Sequence, residues 1–225
     1  MNQRFSIALD GPSGAGKSTI ARALAQRLGI TYLDTGAMYR AVALYVLNAG
    51  AQPSAKDQVI PLLDEIDIEI RFTDAGQRVL LNGQDVSEAI RENPVSPAAS
   101  QVAAIPEVRE RLVAMQREMA SQRSVVMDGR DIGTAVLPDA TLKIFLTASA
   151  HERARRRFEE LRQKGEEVEF EALQRQMLER DYNDSHRAAS PLRRAEDAVK
   201  LDSTGMDIEQ VVEAAEALLR EKIGG

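Results

Sequence analysis

The apolar positions of the chain fall into short runs that alternate with longer amphipathic segments. The short runs end in turn residues, as buried strands do, and the longer segments repeat apolar side chains every three or four residues, as helices do. The short runs lie at about residues 5–9, 30–33, 125–127, 142–146 and 198–201. Helices are predicted at about residues 37–48, 149–163, 169–187 and 208–223. Buried strands joined by crossover helices are typical of parallel sheets, so the pattern predicts an α/β fold with a doubly wound, five-stranded parallel sheet.

The block from about residue 55 to 105 interrupts this alternation. Residues 66–72 and 78–86 alternate in polarity or are rich in β-forming residues, and turns are indicated at Asp74-Ala75-Gly76 and Asn82-Gly83. These features predict a small antiparallel sheet. We therefore expect an α+β insertion within a larger α/β domain.

The first predicted strand runs directly into a glycine-rich motif. Residues 11–18, GPSGAGKS, match G-x-x-x-x-G-K-[ST] at each fixed position, and the strand before and helical pattern after argue against a chance match. The backbone N–H groups of such a loop bind phosphate oxygens, helped by the dipole of the following helix. Lys17 would bridge the β- and γ-phosphates of a nucleotide, and Ser18 would ligate Mg²⁺. The expected nucleotide-binding residues are Gly11, Pro12, Ser13, Gly14, Ala15, Gly16, Lys17, Ser18 and Thr19.

Two further predicted strands end in polar turns. One is followed by Asp34-Thr35-Gly36 and the other by Asp128-Gly129-Arg130-Asp131. Ligands of parallel α/β sheets gather at the carboxyl ends of the strands, so we expect both turns and the phosphate loop to converge on one site. Thr35 is either the N-cap of the next helix or, together with Arg40, part of a second anion site. Asp128 either closes a turn or holds a magnesium-bound water.

Four arginines cluster on the helix predicted at residues 149–163. At about 100° per residue, Arg153, Arg156 and Arg157 fall within one arc of ~100°, while Arg155 points away. One interpretation is a solvated helix with ion pairs to glutamates four residues away. The other, favoured beside a phosphate loop, is a mobile cationic lid that stabilises the oxygens of a transferring phosphoryl group and excludes water.

The next predicted helix carries Arg180, Asp184 and Arg187 within an arc of about 60°. Spacing alone favours an exposed ladder of salt bridges. The functional interpretation is that Asp184 accepts a hydrogen bond from a sugar hydroxyl, and that the two arginines donate to phosphate or sugar oxygens.

Composition narrows the classes of protein that fit. The chain has 225 residues, 44% hydrophobic and 28% charged, as in an ordinary globular protein of about one or two domains. Its net charge of −6 argues against a nucleic-acid-binding surface. There is no cysteine, and two isolated histidines, His151 and His186, cannot build a zinc site alone. No membrane-spanning run or secretion signal is present, so we expect a cytoplasmic protein with neither membrane nor nucleic-acid partners.

Taken together, the motifs closely resemble those of bacterial cytidylate kinases over nearly the whole chain. The matching segments, in the family's order, are GPSGAGKST, LDTGAMYR, SQVAAIPEVRE, DGRDIGT, KIFL, ERARRR, RDYNDSHR and LDST. The resemblance implies an adenylate-kinase-like fold and an enzyme of pyrimidine metabolism, expected to be monomeric, that phosphorylates CMP and dCMP with ATP and Mg²⁺. It implies a core of residues 1–36, 121–150 and 169–225, a nucleoside-monophosphate-binding domain of residues 37–120 that contains the insertion, and a lid of residues 151–168.

The same resemblance implies roles for individual residues. Cytosine would be read by Ser100, Arg109 and Asp131, and the sugar by Arg180 and Asp184. Arg40, Arg130 and Arg187 would bind the acceptor phosphate, and Thr35 stands where family members often have serine. Ser18 replaces the glycine of some members and adds a magnesium ligand. The expected catalytic residues are Lys17, Arg130, Arg153, Arg157 and Arg187.

Three other functions fit parts of the sequence. A small kinase that acts on UMP, AMP or a non-nucleotide alcohol would share the phosphate loop and the arginines. A regulatory GTPase is disfavoured because the chain has no Asn-Lys-x-Asp element to read guanine. A nucleic-acid-binding ATPase is disfavoured by the acidic balance of charge.

Overall fold

The computed structural model describes residues 4–73, 76–163 and 165–224, and in these ranges the chain forms eight strands and eight α-helices. The strands are β1 (Ser6–Asp10), β2 (Thr31–Asp34), β3 (Ile68–Thr73), β4 (Gly76–Leu81), β5 (Gln84–Asp85), β6 (Val125–Gly129), β7 (Leu142–Thr147) and β8 (Val199–Asp202). The α-helices are α1 (Lys17–Leu28), α2 (Thr35–Asn48), α3 (Lys56–Leu62), α4 (Val95–Val102), α5 (Pro106–Gln122), α6 (Ala150–Gln163), α7 (Phe170–His186) and α8 (Ile208–Ile223). A π-helical turn follows β6 at Ile132–Val136.

The main sheet has five strands in the order β2-β6-β1-β7-β8, and its β6–β1, β1–β7 and β7–β8 pairs are parallel. The predicted five-stranded α/β fold is confirmed. The central strand β1 has Ile7, Ala8 and Leu9 fully buried, as expected for a strand with both faces covered. The expectation of a buried strand is wrong for β8, whose residues alternate between half-buried and exposed. β8 lies at the edge of the sheet and has a neighbour on one side only.

The predicted insertion forms a separate antiparallel sheet in the order β3-β4-β5. Asn82 and Gly83 join β4 to β5 with φ of 50° and 80°, the backbone that a two-residue hairpin turn requires. This turn is therefore confirmed. Asp74 and Ala75 of the other predicted turn lie outside the described residues.

The chain divides into two compact units, Met1–Ile30 with Ser124–Gly225 and Thr31–Arg123. In the first unit, α1 packs on β6 and on α8. In the second, α2 packs on α4 around a core of buried apolar side chains. This core includes Met38, Val42, Val95, Val102 and Leu112.

Helix α2 is capped by Asp34. The Asp34 Oδ1 atom accepts a hydrogen bond from the backbone N–H of Ala37 at 3.0 Å, and Thr35 is the first residue inside the helix. The interpretation of Thr35 as the N-cap is therefore wrong. Two strong capping residues follow each other here, and the residue that closes β2 takes the cap.

The helices predicted at residues 149–163 and 169–187 are confirmed as α6 and α7. Gly165, two positions after the last residue of α6, has a left-handed backbone with φ of 79°, and its neighbour Lys164 lies outside the described residues. A lid over residues 151–168, like the other domain boundaries, stays a prediction. Among the helices that the structure describes, none is long and apolar enough to span a membrane.

Candidate active site

The phosphate loop joins β1 to α1, and its shape depends on glycine at two positions. A Cβ on Gly11 would overlap the backbone oxygen of Leu146 in β7, so any side chain would collide with the neighbouring strand. Gly16 has a left-handed backbone with φ of 85° at the N-cap of α1, where it supplies no capping side chain. The N-terminus of α1 therefore has no cap that competes with an anion for its N–H groups.

Lys17 is the first residue of α1 and is buried, with 6% of its surface exposed. Its Nζ atom donates a hydrogen bond to the carbonyl oxygen of Pro12 at 2.7 Å. Burial and then the positive charge of Arg130 lower the pKa of Lys17 well below its ordinary value, against the opposing charge of Asp128. A phosphate group beside Lys17 would favour its charged form.

Ser18 and Asp128 connect α1 to the end of β6. The Ser18 hydroxyl donates to Asp128 Oδ2 at 2.7 Å, and Asp128 is 5% exposed. A hydroxyl and a carboxylate are oxygen donors of the kind that Mg²⁺ prefers, so the pair fits this ion. The predicted meeting of the phosphate loop with the 128–131 turn is confirmed. The place of Asp34-Thr35-Gly36 beside them stays a prediction.

A second cluster of charges surrounds the turn after β6. Arg130 Nε donates to Asp184 Oδ2 at 2.8 Å, and Arg187 Nη2 lies 3.2 Å from Asp131 Oδ1. Burial by itself would raise the pKa of Asp184, but the charge and hydrogen bond of Arg130, with the charges of Arg180 and Arg187, hold it below its usual value. Asp184 is 5% exposed, so the alternative of an exposed salt-bridge ladder on α7 is wrong for its central residue.

Asp10, the last residue of β1, is a candidate that the sequence interpretation missed. Its buried carboxylate accepts hydrogen bonds from the backbone N–H groups of Ile132 and Gly133, each at 2.7 Å. Burial raises the pKa of Asp10 to about 6, although these two N–H groups act in the opposite direction. The available signal was a carboxylate that closes an apolar strand immediately before Gly11.

Arg153 is turned from α6 toward the phosphate loop and is 6% exposed. Its Nη1 atom donates to the carbonyl oxygen of Ser13 at 2.6 Å and to Asp181 Oδ2 at 2.6 Å. The other carboxylate oxygen of Asp181 accepts the N–H of Ser13 at 2.8 Å. Arg153 and Asp181 thus hold both backbone groups of one loop residue. Asp181 was also missed, because nothing in its helical spacing separates it from a solvated carboxylate.

The arginines at positions 155, 156 and 157 of α6 pair with glutamates of the same helix. Arg155 is exposed, as the predicted arc requires, and Arg156 also donates to the carbonyl oxygen of Ser203 at 2.7 Å. The three arginines on the predicted arc, Arg153, Arg156 and Arg157, therefore have different partners. The ion pairs within the helix include Arg155–Glu152, Arg155–Glu159, Arg156–Glu152 and Arg157–Glu160.

In the second unit, Asp34 is surrounded by polar side chains. The nearest guanidinium nitrogens of Arg40 and Arg91 each lie 3.7 Å from Asp34 Oδ2. Gln77, from β4 of the insertion, accepts the N–H of Asp34 at 2.8 Å and donates to its carbonyl oxygen at 3.3 Å. Thr35 is 3% exposed. The insertion therefore holds the start of α2, where the sequence predicts an anion site.

The two predicted base-reading residues of this unit lie on its helices. Arg109, on α5, is 5% exposed and lies over the ring of Tyr39, with its Cζ atom 5.7 Å from the ring centroid. It also donates to the carbonyl oxygen of Ala103 at 3.5 Å. Ser100, on α4, is half-buried. A buried arginine suits recognition of a planar polar group.

Comparison with known proteins gives consistent matches. The family model described as cytidylate kinase matches residues 7–221. The chain is 51% identical to a cytidylate kinase of Caldicellulosiruptor saccharolyticus, over 99% of this chain and 98% of the relative. It is 53% identical to a cytidylate kinase of Carboxydothermus hydrogenoformans, over 97% and 96% of the two chains. A solved gluconokinase from Sinorhizobium meliloti superposes with a TM-score of 0.50, at 17% identity, over 97% of this chain and 94% of that one, which supports the fold alone.

Proposed function

Because this chain belongs to the cytidylate kinase family, we propose that it transfers the γ-phosphoryl group of ATP to CMP and dCMP, giving ADP with CDP or dCDP. The chain is a kinase whose family phosphorylates nucleoside monophosphates. The observation that carries the proposal of a nucleotide donor is the phosphate loop, in which Lys17 is buried and Ser18 is hydrogen-bonded to Asp128.

The donor end of the site consists of groups that suit a triphosphate. The phosphate loop binds the β-phosphate through backbone N–H groups, and Lys17 bridges the β- and γ-phosphates. Mg²⁺ would be held by Ser18, with a bound water held by Asp128, and it supplies positive charge that neutralises the phosphate oxygens. Lys17 acts mainly on the transition state, because charge shifts onto the bridging oxygen only as the bond breaks.

The acceptor end requires groups for a phosphate, a sugar and a base. Arg130 and Arg187 bind the acceptor phosphate and orient its oxygen toward the donor. Arg180 and Asp184 bind the sugar hydroxyls. In the second unit, Thr35 and Arg40 bind the acceptor phosphate, and Ser100 and Arg109 join Asp131 in reading cytosine. These assignments follow the family resemblance; the contacts among Arg130, Asp131, Asp184 and Arg187 support them.

Water must be excluded, or the enzyme would hydrolyse its donor. We assign this task to the lid of residues 151–168, with Arg153 and Arg157 as its catalytic arginines. The contact of Arg153 with Ser13 supports its assignment, since it connects α6 directly to the phosphate loop.

A coupled assay of ADP release with a panel of monophosphates tests the proposal. CMP and dCMP should give rapid release, UMP slower release, and AMP or GMP little more than a reaction without acceptor. Release that does not depend on any monophosphate would indicate an ATPase. Release that is fastest with AMP or UMP would indicate a related kinase of different specificity.

A further inference from the structure

The π-helical turn Ile132–Val136 begins in an unusual way. Asp131 stands at its N-cap with φ of −148° and ψ of 27°, and its carbonyl oxygen accepts the N–H groups of Ala135 and Val136. Asp131 is a residue type that normally caps with its own carboxylate. Here its side chain makes no cap hydrogen bond and lies 3.2 Å from Arg187 instead.

The carboxylate that serves this turn comes from another strand. Asp10 Oδ1 accepts the N–H of Ile132, and Asp10 Oδ2 accepts the N–H of Gly133, each at 2.7 Å. These are the first two N–H groups of the turn, and they would otherwise be buried without a partner in regular structure. Both oxygens of Asp10 are used, and 5% of the residue is exposed.

We propose that Asp10 is a positioning residue for the acceptor nucleotide: it caps the turn in place of Asp131 and so keeps the Asp131 carboxylate beside Arg187, aimed at the base. This inference rests on the proposed function, in which Asp131 reads cytosine. Asp10 is bonded covalently to Gly11 of the phosphate loop, so it also connects the donor loop to the acceptor-reading turn. Asp10 itself touches neither nucleotide in this scheme.

The Asp10 carboxylate also lies close to the α-carbon of Gly133. A Cβ there would lie 3.3 Å from Asp10 Oδ2 and 3.1 Å from Lys143 Cδ, which is tighter than most Cβ contacts, so a neighbour would have to shift by a few tenths of an ångström. We expect replacement of Gly133 by alanine to lengthen the contact between the turn and Asp10 without changing any charged group. This gives a second way to disturb the contact, independent of substitution at Asp10.

The experiment measures the ratio of kcat/KM for CMP over UMP by letting the two compete in one reaction. The variants are Asp10→Asn and Gly133→Ala, each alone and with Asp131→Ala. In Asp10→Asn the side-chain amide offers one oxygen acceptor to two N–H groups, so the turn should loosen while the buried volume is unchanged. Asp207→Ala is the control, because it removes the carboxylate cap of α8.

We expect Asp10→Asn and Gly133→Ala to narrow the CMP-over-UMP ratio by about tenfold, with the KM for ATP changed by less than about threefold. In a chain that already carries Asp131→Ala, adding Asp10→Asn or Gly133→Ala should narrow the CMP-over-UMP ratio little further, because both substitutions act through Asp131. The control variant Asp207→Ala should have the same CMP-over-UMP ratio as the unaltered enzyme.

Two results would overturn the inference: an unchanged ratio in both variants, or equal losses of kcat/KM for the two nucleotides. If Asp10→Asn does not fold, Gly133→Ala alone decides between these outcomes. An unaltered enzyme that does not distinguish CMP from UMP would instead contradict the proposed function, and the inference would fail with it.

Discussion

Ser18 donates its hydroxyl hydrogen to Asp128 across 110 positions of sequence, at 2.7 Å. The contact places the residue that follows the phosphate-loop lysine beside the carboxylate at the end of β6. Either residue alone would indicate little, since a serine begins many helices and an aspartate closes many strands. Together they form a set of oxygen ligands next to a phosphate-binding loop, which is what a magnesium–nucleotide site needs.

Replacing Ser18 by alanine should raise the Mg²⁺ concentration that gives half-maximal activity by about tenfold or more, because one ligand and the hydrogen bond to Asp128 are both lost. Titrations of activity with Mg²⁺ at saturating ATP and CMP would measure this shift. Ser121→Ala, which removes an exposed hydroxyl, is the control. An unchanged Mg²⁺ requirement in the Ser18 variant would remove Ser18 from the metal site.

Lys17→Ala should lower kcat by about 10² or more while the affinity for ATP falls much less. Lys17 is buried beside cations and is expected to interact most strongly with the charge that develops on the β–γ bridge. Steady-state kinetics and direct ATP-binding measurements separate the two effects. Near-normal turnover would exclude the phosphate loop from the chemistry.

Arg153→Gln should lower kcat/KM by about 10², and Arg155→Gln by less than about threefold. Arg153 is buried and fixes the backbone of Ser13, whereas Arg155 forms exposed ion pairs, which contribute little. The two variants lose the same charge from the same helix, so each is the matched control of the other. Equal losses would mean that the orientation of α6 has been assigned incorrectly.

The raised pKa of Asp10 predicts a pH dependence of stability. A carboxyl with a pKa of about 6 in the native state and 3.8 when unfolded binds more protons in the folded chain between these values. The protonated carboxyl therefore favours the folded state fully below about pH 4. The free energy of unfolding decreases by about 3 kcal/mol as the pH rises from there to about 6 and the carboxyl loses its proton. Denaturant unfolding can be measured at several pH values for the unaltered protein and for Asp10→Asn. The difference between their free energies of unfolding should change over this pH window. A difference that is flat with pH would contradict the assignment.

Much of the fold and the phosphate loop could be predicted from the sequence, because the patterns that indicate them are local. The phosphate loop, the strand pattern and the Asn82-Gly83 hairpin each depend on neighbours in the chain. Asp10 and Asp181 were missed because their partners, the N–H groups of Ile132, Gly133 and Ser13, lie 122, 123 and 168 positions away. The interpretation of Thr35 as the N-cap, one of the two alternatives for this residue, lay one position too late because Asp34 and Thr35 are both residue types that favour the N-cap. Likewise, helical spacing could not distinguish a buried Asp184 from a solvated one.

The most direct test of the central claim is competition between CMP and UMP for the unaltered enzyme at limiting concentrations, with both diphosphate products quantified. Cytosine has an amino group that can donate hydrogen bonds to Asp131 and Ser100, and a ring nitrogen that can accept one from Arg109. Uracil would leave these side-chain groups without partners, at a cost of about 1–3 kcal/mol each. We predict a kcat/KM for CMP that exceeds that for UMP by roughly 10- to 100-fold or more, with AMP and GMP lower still and with a narrower CMP-over-UMP ratio in Asp131→Ala. Equal kcat/KM values for CMP and UMP, or a preference for AMP, would contradict the claim.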